Sequence, residues 1–280
     1  MEPLVSTDRL ERELGARDLR VFDATLFLPG DTRDARAEHA AEHVPGAVFL
    51  DLEEVSDPAS PLPHMVPAES HMARRMRALG LGDGDRVVVY DNSPLHSAAR
   101  AWWMLRLFGV RDVAILDGGL AKWKVEGRPL ESGEVEVRSG HFTPMLDGEP
   151  VADKAFVHSL LGRDGWEIVD ARGAGRFSGE EAEPRPGMAS GHIPGSKSLP
   201  QGKLFKKDNR WKQGEALRAA FEEAGVDLSK PMVVTCGSGI TAAVLLFGAH
   251  LLGKADVKLY DGSWSEWGAD PETPKAKGAA

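Results

Sequence analysis

The sequence predicts an α/β protein built from two tandem copies of one domain, each a mainly parallel central sheet flanked by helices. Two observations carry this. Four landmarks recur in order along the chain, and within each copy short β-branched apolar runs alternate with stretches of helical spacing. The length of 280 residues agrees, being close to twice a typical domain of about 150 residues.

The landmarks of the first half are VFD ending at Asp23, HVPGA from His43, VVVYD ending at Asp91, and DGGLAKW from Asp117 to Trp123. The second half answers with IVD ending at Asp170, HIPGS from His192, VVTC ending at Cys236, and DGSWSEW from Asp261 to Trp267. The offsets are 147, 149, 145 and 144 residues, a register that chance does not keep four times over. The first copy is read over 1–137 and the second over 151–280. A linker is expected over 138–150, where Gly, Pro and charge replace the apolar pattern.

Arg86–Tyr90 and Met232–Thr235 read as buried parallel strands, each followed by a helix (Ala98 to Phe108, Thr241 to Leu252), and Val257–Tyr260 reads as a further strand. The tryptophans at 102/103 and 264/267 are expected to pack rather than to cage a ligand. The closing PETPKAKGAA, small and polar, is expected to fray.

Charge excludes several classes. With 34 Lys+Arg against 43 Asp+Glu the net is −9, so no overall basic field recruits nucleic acid or anionic lipid. Any anionic substrate must find local cations. The start, MEPLVSTDRLERELG, lacks the apolar core of a secretory signal, and Ala242 to Gly253 falls short of the roughly 20 residues of a membrane helix, so a cytoplasmic protein is expected. The single cysteine excludes an intramolecular disulfide and a cysteine-rich metal site, and the nine histidines show no clustered ligand spacing; no metal or organic cofactor is implied.

That cysteine, Cys236, stands at the end of a buried strand and before Gly-Ser-Gly and a helix. Ligands of parallel sheets gather at the carboxyl ends of strands, where the next helix offers unpaired N–H groups. Gly237 and Gly239 let the backbone curl so that these amides face inward around the sulfur. Such surroundings favour thiolate. The alternative is a small buried hydrophobe, but packing gives no reason for two glycines there. Asp91 holds the matching place in the first copy, which makes one half catalytic and the other a scaffold. Phosphate-ester hydrolysis and sulfur transfer both use a cysteine in such a cradle. The Arg six positions on that a cysteine phosphatase needs is here Ala242, and no papain-type His or Asn context surrounds the thiol.

The loop CGSGIT at 236–241, VKLYDGSWSEW at 257–267, the paired HVPGA and HIPG segments, SPLPHM at 60–65 and GRFSGEEAEPRPG at 175–187 resemble the two-domain rhodanese-type sulfurtransferases. Within that family the chain is similar to the 3-mercaptopyruvate branch over almost its whole length. The neutral Gly237 and Ser238 stand where thiosulfate-preferring relatives carry basic residues. The resemblance implies two rhodanese-like domains and a Cys236 that takes sulfur from 3-mercaptopyruvate as a persulfide, releases pyruvate, and passes the sulfur to thioredoxin, a small thiol, a sulfur-carrier protein or cyanide. Arg176 and Arg185 would hold the donor's carboxylate and ketone, beside Gly237, Gly239, Ile240 and Thr241 of the loop. Ser238, His64 and an acid at Glu53, where relatives commonly have Asp, would form a proton relay. His39 replaces an aromatic of the relatives, a packing change; His43 and His192 are structural. The rival readings are a thiosulfate:cyanide sulfurtransferase and a non-enzymatic sulfur-carrying or regulatory module.

Overall fold

The computed structural model describes residues 1–278, which divide into two compact units: 1–58, 66–147 and 207–210 form the first, and 59–65, 148–206 and 211–278 lie in the second. The segment that carries His64 thus belongs to the second unit. Residues 138–147, read from sequence as linker, run along the first unit: Gly140 N–H donates to the Arg77 carbonyl and Met145 N–H to that of Phe108.

In the first unit the strands are β1 (Leu4–Val5), β2 (Leu19–Asp23), β3 (Val48–Phe49), β4 (Arg86–Tyr90) and β5 (Val113–Leu116). They pair in the order β1-β5-β4-β2-β3, every pair parallel. The helices are α1 (Thr7–Glu13), α2 (Ala35–Ala41), α3 (Leu52–Val55), α4 (Glu69–Ala78), α5 (Ala98–Leu107) and α6 (Gly119–Val125). Val88, Tyr90, Ala114, Leu116 and Trp123 lie in the core on one side of this sheet.

The second unit repeats the plan with β6 (Val151–Ala152), β7 (Glu167–Asp170), β8 (Lys197–Ser198), β9 (Met232–Thr235) and β10 (Val257–Tyr260), in the order β6-β10-β9-β7-β8 and again parallel. Its helices are α7 (Lys154–Ser159), α8 (Ala174–Ser178), α9 (Gly214–Glu223), α10 (Ala242–Leu251) and α11 (Ser263–Trp267), with a 3-10 turn at Gln201–Leu204. The central strands are buried throughout because helices cover both faces, the burial that parallel sheets require, and their polar residues stand at the ends (Glu167, Asp170, Thr235). α10 is buried without interruption from Ala242 to Ala249, which explains why its apolar residues show no single stripe.

Two expectations are corrected. The tail does not fray within the described residues. Thr273 Oγ1 donates to the Trp267 carbonyl, Trp267 Nε1 donates to that of Pro274 (2.8 Å), His192 and Ala276 exchange backbone hydrogen bonds (2.9 Å each), and Gly278 N–H reaches the Ser178 carbonyl (2.9 Å). A polar composition says nothing of main-chain pairing, which is what ties this segment. His39 is more than a packing change, because its Nδ1 lies 3.0 Å from Asp23 Oδ2 and its ring stacks on His43 at 4.3 Å. The structural roles of His43 and His192 are visible in their Nδ1 contacts with the carbonyls of His39 (2.7 Å) and Phe177 (2.8 Å).

Candidate active site

β9 delivers Cys236 to the carboxyl edge of the second sheet. The Thr235 carbonyl accepts Ala171 N–H (2.9 Å), so the top of β9 is fixed beside β7. From there the chain turns through 236–241 into α10. The carbonyls of the turn face α11: that of Cys236 accepts Trp264 N–H (2.9 Å), and that of Gly237 accepts both Ser265 N–H (2.8 Å) and Ser265 Oγ (2.7 Å). Cys236 N–H donates to Ser263 Oγ (3.3 Å). With the carbonyls drawn one way the following amides are turned the other, and those of Gly237, Ser238, Ile240 and Thr241 have no acceptor among the described residues. These are the donors that a strand-to-helix turn presents to an anion. The thiol is free and 2 % exposed.

The two glycines act differently. Gly239 has φ +79°, the left-handed region that suits Gly. Gly237 lies outside that region, and its need is space: a Cβ there would stand 2.9 Å from Arg176 Nη2. The Arg176 guanidinium therefore lies against the cysteine loop.

Arg176 projects from α8, a short helix in a segment whose sequence reads as irregular loop. Glu183 grips its side edge, with Nε to Oε1 at 3.3 Å and Nη2 to Oε2 at 2.5 Å. The guanidinium's end-on edge remains for a second planar anion. The sequence reading missed what holds Glu183, namely Arg172. This arginine is fully buried and donates to both oxygens of Asp170 (2.7–3.1 Å), to Glu183 Oε1 (2.6 Å) and to the Gly191 carbonyl (2.8 Å). Its guanidinium also lies over the Trp264 ring at 4.4 Å. Burial works against its charge, yet Asp170 and Glu183 outweigh that and its pKa is raised. Asp170, Arg172, Glu183 and Arg176 thus form one neutral cluster behind the loop, in which every buried charge has an opposite partner.

His64 and Ser238 are brought together: Nδ1 lies 2.9 Å from Ser238 Oγ and 3.3 Å from the Ser238 carbonyl. Both residues are buried, and His64 holds φ +61°, a conformation uncommon for a non-Gly residue and concentrated at functional sites. Arg185 is half-buried two residues beyond Glu183. Glu53 lies on α3 of the first unit, exposed, with its backbone N–H donating to Asp51 Oδ1 (3.0 Å). Among the described residues no cluster of three His, Cys, Asp or Glu side chains is arranged to hold a metal ion, and no helix is long and apolar enough to cross a membrane.

The rhodanese-like domain model matches this chain over residues 6–126 and again over 153–270, the second match holding the Cys236 turn. The chain belongs to the rhodanese family, with two copies of the domain. Among its relatives, the 3-mercaptopyruvate sulfurtransferase of Escherichia coli K12 is 43 % identical over 271 residues, 96 % of each chain. The human 3-mercaptopyruvate sulfurtransferase is 42 % identical over 93 % of this chain and 88 % of its own. The thiosulfate sulfurtransferase of Cricetulus griseus is 42 % identical over 98 % and 95 %. The crystal structure of SseA from Escherichia coli, described as a 3-mercaptopyruvate sulfotransferase, superposes with a TM-score of 0.86 at 41 % identity, covering 94 % of this chain and 99 % of that one.

Proposed function

We propose that this protein transfers sulfur from 3-mercaptopyruvate to a thiol or cyanide through a persulfide on Cys236. The observation that carries the reading is the Cys236 turn itself, which leaves four amides uncommitted after the thiol and has the Arg176 guanidinium against Gly237. Relatives named for both donors share the fold, so the choice between them rests on the loop. Gly237 and Ser238 add no charge, and Gly237 leaves the guanidinium room. A keto acid with one carboxylate suits this site better than a dianion.

The chemistry balances over two steps. The Cys236 thiolate attacks the donor's sulfur; an S–S bond forms, the donor's C–S bond breaks, and the electron pair leaves as the enolate of pyruvate. That carbanion takes a proton, for which the Ser238 hydroxyl paired with His64 is the relay. The acceptor's thiolate then attacks the outer sulfur and Cys236 leaves as thiolate. The amides of the turn meet negative charge on sulfur in both steps. Arg176 holds the carboxylate and Arg185 the ketone. Thioredoxin, a small thiol or a sulfur-carrier protein can serve as acceptor, and a reducing compartment such as the cytoplasm keeps the lone thiol available.

Mass spectrometry after incubation with 3-mercaptopyruvate tests the proposal. A gain of one sulfur atom on the Cys236 peptide, with stoichiometric pyruvate, is the expected result. Persulfide formation from thiosulfate alone would move the assignment to the rival donor, and none from either donor would leave a non-enzymatic module. Arg176→Ala is expected to raise KM for 3-mercaptopyruvate about tenfold or more.

A further inference from the structure

We propose that Ser263 is a positioning residue for Cys236, an inference that rests on reading Cys236 as the nucleophile. Ser263 opens α11, is fully buried, and holds φ +48°, a left-handed conformation that L side chains rarely adopt. The matching position of the first unit is Gly119, with φ +58°. A Cβ at Gly119 would lie 2.5 Å from the Asp91 carbonyl, so that turn admits only Gly. The two units therefore share one turn geometry, and only the unit with the thiol places a side chain on it.

What that side chain does is visible in its two hydrogen bonds. Ser263 Oγ donates to the Tyr260 carbonyl (2.8 Å), which commits its only proton and leaves a lone pair for Cys236 N–H (3.3 Å). The peptide unit entering Cys236 is thereby held by Ser263, and the one leaving it is held by Trp264 N–H on the Cys236 carbonyl (2.9 Å). Both peptide units flanking Cys236 are tied, so its Cα–Cβ bond keeps a set direction relative to the free amides from Gly237 onward. Ser263 meets no substrate in this account; its effect passes through the Cys236 backbone. A Cβ on a left-handed residue is a local cost, and strain of this kind concentrates at functional sites.

Two substitutions separate the hydroxyl from the backbone. Ser263→Gly and Ser263→Ala both remove Oγ, but Gly suits the left-handed turn and Ala does not, so the Gly variant is expected to melt about 2–4 °C above the Ala variant. In single-turnover persulfidation with 3-mercaptopyruvate, both are expected to lose about tenfold in the rate constant at saturating donor, equally, with the half-saturating concentration unchanged within about twofold. A Gly variant as fast as the parent, or rates that follow the melting order, would mean that Ser263 matters only for stability and would overturn the proposal. So would a change in half-saturation alone. Cys236→Ser is run beside them: persulfide-dependent turnover surviving in that variant removes the underlying reading, whereas its loss together with parental rates in both Ser263 variants removes only the role of Ser263.

Discussion

At the carboxyl end of β4 the first unit has Asp91, and at the carboxyl end of β9 the second has Cys236. A strand-to-helix turn follows each, one residue longer after Asp91 than after Cys236, and the amides of the two turns meet different partners. Asp91 Oδ1 accepts Ser93 N–H (3.2 Å) and Oδ2 accepts Ala98 N–H (2.8 Å), so the first unit fills its own anion cradle with a carboxylate. In the second unit the amides of Gly237, Ser238, Ile240 and Thr241 have no such internal acceptor among the described residues. The first turn thus displays in a static contact the attraction for negative charge that the second keeps for chemistry. The support behind the turns differs as well. Where the second unit packs Arg172 against Trp264, the first has Thr25 and Leu120 and retains a cavity of about 310 Å³, lined also by Asp23, Glu38, His39 and Asn92.

The sharpest attempt to erase this difference is to exchange the two end-of-strand residues. Cys236→Ser is expected to lower sulfur transfer by on the order of a thousandfold or more, and adding Asp91→Cys should restore nothing, because the first unit has no counterpart of the Arg172–Glu183–Arg176 cluster. Recovery of pyruvate release in the double variant would show that a thiol on the turn suffices. Next in size, Arg172→Ala leaves Asp170 and Glu183 as buried carboxylates without their shared cation and should cost about 3–5 kcal/mol in urea unfolding. A loss below about 1 kcal/mol would mean that the second unit needs its buried arginine no more than the first, which carries Thr25 there.

Asp91→Asn addresses the other side of the comparison. Burial pushes the Asp91 carboxyl up to about 6, against the partly offsetting hydrogen bonds from Ala98 and Ser93. A raised folded value means that the folded protein binds the extra proton, so this group's stabilisation is full below about pH 4 and lost as pH rises through about 6. The parent should therefore lose up to about 3 kcal/mol across that window relative to Asp91→Asn, measured as the difference in unfolding free energy at the two ends. Equal pH slopes in parent and variant would contradict it. The smallest effect expected is that of Arg185→Ala, about tenfold in kcat/KM for 3-mercaptopyruvate with thiosulfate use nearly unchanged; equal losses on both donors would deny Arg185 a part in recognising the keto acid.

The repeat, the buried strands and the cysteine turn were legible because they are local: a β-branched run, a Gly-Ser-Gly after it, and landmarks in one order at offsets of 144 to 149 residues. Arg172 was not. It stands two residues after a strand-end Asp, where the first copy has Thr25, and its four partners are scattered from Asp170 to Trp264. Arg176 and Glu183 are visible as residue types, but seven residues of spacing do not say that they pair. The structure contains that pair and still leaves the guanidinium against Gly237, because a guanidinium has two usable edges and a one-dimensional reading assigns it only one. His39 was read as an aromatic substitute because its carboxylate partner, Asp23, is sixteen residues away.

Each unit is closed by a similar backbone clasp, His43 with Glu131 in the first and His192 with Ala276 in the second. During synthesis the first clasp can engage while the second domain is still untranslated. The thiol of the second is made about 40 residues before Ala276, an interval of several seconds at ordinary elongation rates. Cys236 is therefore made before the clasp of its own domain can close, and the completed turn waits on the last residues of that unit.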